Sequence, residues 1–105
     1  RARGEPAGEK AQTSALGVSV APLTSERARR LGVEEDLRGV VVDEVDAGSP
    51  AAGVVRAGDV ILEVNRRRVR TPREFRQALA KTGEKDSVLL RLQRGQSQVY
   101  VVIER

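Results

Sequence analysis

The sequence contains no histidine, cysteine, methionine or tryptophan, and Phe75 and Tyr100 are its only aromatic residues. Without histidine, a Ser-His-Asp or Cys-His nucleophile and any imidazole-held metal are excluded within this chain. Without cysteine there is no disulfide framework and no thiolate metal site, an absence that fits any compartment. Apolar runs such as Val40 to Val42 and Tyr100 to Ile103 are short. Both fall far short of the roughly 20 residues of a membrane-spanning helix, so no membrane insertion is expected. Scarce aromatics leave the core to Val, Leu, Ile and Ala, which favours sheet over a helical bundle. Paired carboxylates, a P-loop and a dinucleotide fingerprint are also missing, so nothing argues for catalysis or a cofactor.

What is present suits one small domain: 105 residues, 39% hydrophobic and 32% charged. The formal charge of +4 is carried mostly by arginine and raises the expectation of anionic partners without naming one. The chain starts on Arg1 and reads as an excised fragment. Residues 1–13, "RARGEPAGEKAQT", are polar, contain Gly and Pro and lack any period, as in a linker from an upstream domain. The folded domain is expected over 14–105.

Along that stretch, "ALGVSV" opens a strand over about 16–21, closed by Pro22. Thr24 or Ser25 caps a short helix that runs to Leu31 and stops at Gly32. Gly39 to Val45 is a β-branched run of strand type. Residues 46–59 read as turns around one helical turn after Pro50. Residues 60–69 give a strand, a tight turn at Asn65 to Arg67 and a short return. Thr71-Pro72-Arg73-Glu74 is the clearest helix start in the chain: a capping hydroxyl, Pro at the first helical position and Glu three residues after the cap. Phe75, Ala78 and Leu79 form its buried face, and Gly83 is expected to end it. Ser87 to Arg94 and Val99 to Ile103 form a hairpin around Gly95. The fold class is therefore α+β, mainly β: a small antiparallel β-barrel or sandwich of five to six strands with two helices.

Three features bear on function. Gly17 can be an ordinary bend, or it can leave consecutive backbone N–H groups directed outward as an anion nest beside an open strand edge. Asp59 in "AGDVILEVN" reads as a turn residue and not as a catalytic acid. Arg66, Arg67, Arg68, Arg70, Arg73 and Arg76 form a basic cluster. It lacks the interleaved aromatics of a nucleic-acid surface and reads as a solvated face.

Taken in order, "ALGVSV", "RGVVVDEVDAGSPAAGVVRAGDVILEVNRRRV", "TPREFRQALAKTG" and "VLLRLQRGQSQVYVVIER" resemble a PDZ domain. More narrowly, the series is similar to the circularly permuted bacterial kind attached to Do-like (HtrA, or Deg) trypsin-type serine proteases, and its position resembles the terminal PDZ domain of a two-PDZ protease. The resemblance implies a carboxylate-binding loop at Ala15, Leu16, Gly17 and Val18. It implies a peptide groove along Ser19 and Val20 of the strand and Arg76, Leu79 and Ala80 of the helix. Leu16, Val18 and Leu79 would line the pocket for a terminal apolar side chain. Pro72 in the first helical turn, where no histidine stands, removes the Ser/Thr preference of some eukaryotic PDZ domains. The segment "SPAAGVVRAGD" is one residue shorter than the usual family spacing. The implied function is weak capture of hydrophobic C-termini or extended segments of unfolded proteins, feeding or regulating a linked periplasmic protease in envelope quality control and stress response. The partners would be substrate peptides, the protease domain and neighbouring subunits. An assembly domain with a vestigial groove is the alternative, and nucleic-acid binding through the arginines is a third.

Overall fold

The computed structural model describes residues 16–82 and 87–104. The expected linker, Ala15 and Gly83 lie outside these residues. Six strands and two helices follow in the order β1 (Val18–Pro22), α1 (Ser25–Leu31), β2 (Val40–Val45), β3 (Val60–Val64), β4 (Arg67–Arg68), α2 (Pro72–Ala80), β5 (Val88–Arg94) and β6 (Ser97–Ile103). All pairings are antiparallel, in the order β1-β2-β3-β5-β6 with β4 attached to β3. The sheet does not close, so of the two forms expected from the sequence, a barrel and a sandwich, the closed one is not adopted. β1 and β6 are its edges.

The local signals act as their chemistry requires. Thr24 caps α1 by accepting from the Arg27 N–H at 3.1 Å. Gly32 closes α1 in the left-handed region, at φ 76°, where its N–H bonds the last carbonyls. At α2, the Thr71 hydroxyl accepts from the Glu74 N–H at 3.1 Å. The Glu74 carboxylate reaches back to the Arg70 N–H at 2.7 Å, a variant of the capping box displaced by one residue. Thr71→Ala is expected to lower stability by about 1 kcal/mol, read as a lower urea midpoint at unchanged slope. α2 ends earlier than Gly83, at a right-handed Lys81 cap. There the Thr82 hydroxyl takes over the capping by donating to the Ala78 carbonyl at 3.2 Å. The 46–59 segment forms turns, with the Val54 and Val55 N–H groups both donating to Ala51 O at 3.0 Å.

One apolar cluster unites the sheet with α2: Leu16, Val18, Val20, Val40, Val42, Ile61, Val64, Phe75, Leu79, Leu90, Leu92 and Ile103, with others. Phe75 is the largest wholly buried side chain and fills the space that the short aliphatic residues leave. A smaller cluster of Val41, Val60 and Leu62 lies on the other side of the sheet, where Leu31 of α1 covers it. Val99 and Val101 on the edge strand β6 are only half-buried, whereas Ile103 is buried.

Candidate functional site

The edge strand β1 and the helix α2 pack together at one side of the sheet. Hydrogen bonds at the start of β1 fix which way its backbone groups face. The Leu16 carbonyl accepts from the Ala51 N–H at 3.3 Å and the Gly17 carbonyl from the Asp46 N–H at 2.8 Å. No peptide bond here is cis, and in a trans peptide the N–H points opposite to the C=O. With those two carbonyls turned into the fold, the N–H groups of Gly17 and Val18 are turned out of it. Further along, Val18 stands opposite Val45, and the Asp46-to-Gly17 bond makes this a non-hydrogen-bonded pair. The Val18 N–H and C=O therefore face the open edge. Val20 stands opposite Val42, whose own N–H and C=O are taken by Asp59 and Gly58 on the far side, so Val20 also faces outward. A register shift between Ser19 and Val20 leaves Asp43 of β2 as the extra residue.

Gly17 has φ 85°, a region that costs an L side chain about 1–2 kcal/mol. A Cβ at this position would also collide with Cβ and Oγ of Ser49. The Ser49 hydroxyl is itself fixed, donating to the Asp46 carbonyl at 2.6 Å. A glycine is thus demanded by the fold's own packing, whether or not a ligand approaches.

On α2, Glu74, Ala78 and Thr82 lie on one flank. It is tied down by the Glu74-to-Arg70 bond and by the Asn65 amide, which donates to the Thr82 hydroxyl at 2.7 Å. The strands packed against α2 are β1 and β3, and Asn65 extends β3. The opposite flank, with Pro72, Arg76 and Leu79 at helical spacing, is consequently turned toward β1. Of the residues singled out from the sequence, Leu16, Val18, Val20 and Leu79 are buried at this seam and Arg76 and Ala80 are exposed beside it, while Ser19 is buried on the opposite face of β1, since side chains alternate along a strand. Leu16 and Val18 are 0% and Leu79 is 6% exposed. A terminal side chain can seat there only if the β1–α2 contact rearranges.

The acidic residues Asp43, Glu44 and Asp46, together with Gly17, line a hollow of about 410 Å³ behind the loop. A second hollow of about 270 Å³ lies between α1 and β2, with Arg27 and Arg30 at its rim. Asp59 is no free acid. Its buried carboxylate accepts from Arg94 at 3.0 and 2.8 Å and caps the Arg56 N–H at 2.9 Å. The bond to Asp59 raises the Arg94 guanidinium above its ordinary value, against a smaller opposing effect of burial. Among the described residues no group of three or more acidic side chains is placed to hold a metal ion. The role of the Asn65 side chain, which bridges Thr82 and the Leu89 N–H, was not foreseen from the sequence. Its partners lie 17 and 24 residues away.

Comparison with known proteins gives this geometry a family. The model described as "PDZ domain" matches residues 14–104. A probable periplasmic serine endoprotease, DegP-like, of Chlamydia muridarum (strain MoPn / Nigg) is 44% identical over 91 residues, covering 85% of this chain and 18% of its own length. A similarly named protein of Pseudomonas putida (strain F1) is 34% identical over 91 residues, covering 87% of this chain and 18% of its own. The solved structure of an HtrA-type protease, AlgW, with a decapeptide aligns at TM-score 0.75 and 33% identity, covering 85% of this chain and 27% of that one. The HtrA3 PDZ domain bound to a phage-derived ligand (FGRWV) shares the fold at TM-score 0.71 and 24% identity, covering 85% of this chain and 81% of that one. The chain spans less than a fifth of the length of these curated relatives, at 18%. A match that runs through every element of the sheet and both helices leaves one conclusion: the chain belongs to the PDZ domain family.

Proposed function

We propose that this domain binds the C-terminus of an extended peptide, which adds itself antiparallel to the open edge of β1. The terminal carboxylate would sit in the loop at Ala15, Leu16, Gly17 and Val18. The terminal apolar side chain would enter between Leu16, Val18 and Leu79, with Ser19, Val20, Arg76 and Ala80 along the groove. The observation that supports this reading most is the outward direction of the Gly17 and Val18 N–H groups, set by the inward bonds of the preceding carbonyls. Similarity to DegP-like endoproteases and to a peptide-bound HtrA-type protease supports a place in the periplasm. There the domain would capture unfolded or mislocalised proteins and feed or regulate a linked serine protease.

A strand of a few residues buries little area, so affinity is expected to be micromolar or weaker. Titration with a peptide ending in Val or Phe, against the same peptide amidated, tests the reading. Charge-assisted bonds of about 1.5–3 kcal/mol predict that the free acid binds at least about tenfold more tightly. Equal binding of the two would remove the carboxylate site.

A further inference from the structure

We infer that Arg76, backed by Arg73, makes the helical wall of this groove select peptides that carry a carboxylate side chain two residues before the C-terminus. The inference rests on the groove reading above and adds to it the class of ligand.

The stretch from Arg66 to Arg76 holds six arginines, and Glu74 is its one carboxylate. That carboxylate is occupied by the Arg70 N–H. The nearest acid before the stretch, Glu63, is paired with Arg91 at 3.2 Å. Arg73 and Arg76 are both exposed and form no ion pair with a described residue. The stretch therefore keeps an excess of positive charge. Arg76 sits on the flank of α2 turned toward β1, next to Leu79, and Arg73 is one turn before it.

Spacing then sets the ligand position. With the terminal side chain at Leu79, the next ligand side chain on the same face lies two residues upstream, about 6.5–7 Å along the strand. Arg76 lies about 4.5 Å and Pro72 about 10.5 Å back along the helix axis from Leu79. The upstream side chain falls between them, within reach of the long Arg76 stem. Pro72 offers no side-chain polar group, which leaves the guanidinium as the recognising group at that level. An arginine presents a planar fork matched to a carboxylate.

The test titrates the 105-residue chain and its Arg76→Gln variant with three labelled peptides that differ only at the end: Asp-Ala-Val acid, Asn-Ala-Val acid and Asp-Ala-Val amide. The expected result is that the Asp acid binds about three- to fivefold more tightly than the Asn acid at low salt. Arg76→Gln should bring that ratio to one. If the Asp and Asn acids bind alike while both exceed the amide, the selectivity is wrong and the groove reading stands. If acid and amide bind alike, the groove reading falls and the inference with it. A random DNA duplex that competes with the peptide and loses affinity in Arg76→Gln would also overturn it, assigning the arginine to nucleic acid.

Discussion

Replacing Gly17 by alanine should destabilise the domain by about 3 kcal/mol, of which the left-handed backbone accounts for about 1–2 and overlap with Ser49 for a comparable amount. Ser49 cannot swing aside cheaply, because the Cβ itself is the atom met and its hydroxyl is held by the Asp46 carbonyl. The double variant Gly17→Ala/Ser49→Gly separates the two causes: it should recover the overlap and leave the conformational cost. Urea denaturation of the four proteins in this cycle measures the coupling. Additivity of the two single changes would show that Ser49 plays no part. Because the same turn directs the Gly17 and Val18 N–H groups outward, Gly17→Ala should weaken free-acid peptides even at temperatures where it remains folded.

Asp59→Ala should cost a further independent 3 kcal/mol or so. Breaking a buried ion pair by removing one partner costs about 3–5 kcal/mol, and the Arg94 side chain, 32% exposed, recovers part of its hydration. The carboxylate is the junction between the 54–59 turn and the end of β5, since Arg94 also donates to the Val54 carbonyl at 3.2 Å. Asp59→Asn keeps the shape and one acceptor and should lose about half as much. On the Arg94 side the linkage is one-sided. A cation whose folded value is raised contributes fully below its unfolded value and loses that contribution only as pH rises through the folded one. The guanidinium half of the pair is thus constant through neutral pH and fails only in strong alkali. A cycle with Arg94→Met, read by the urea midpoint, would reject the argument if Asp59→Ala cost the same with and without Arg94.

The contrast between these two residues marks what could be read from the sequence. Caps and turns are encoded within a few residues, so Thr24, Gly32, the Thr71-Pro72 start and the β5–β6 hairpin were legible. So was the tight turn at Asn65 to Arg67, in which Asn65 has φ 49° and Arg66 φ 70°. The buried face of α2 was also plain from periodicity. What depends on a distant partner was not. Asp59 read as a turn residue because Arg94 lies 35 positions away. For Gly17 the sequence left an ordinary bend and an anion nest both open, and Ser49, which meets it through the fold, could not be foreseen. Gly83, the expected stop of α2, lies outside the described residues, and the helix already ends at a Lys81 cap supported by the Thr82 hydroxyl. The groove residues were named through resemblance alone. Which flank of α2 carries them follows only from Asn65 holding the other flank.

That Asn65 contact gives α2 two unlike borders. Toward β3 the helix is fastened by hydrogen bonds, which are directional and break over a few tenths of an ångström. Toward β1 it leans on the apolar surface of Leu79, whose attraction is non-directional and survives sliding. The helix is mounted like a door, with a polar hinge and a greased free edge, and the free edge is the one that faces the open strand.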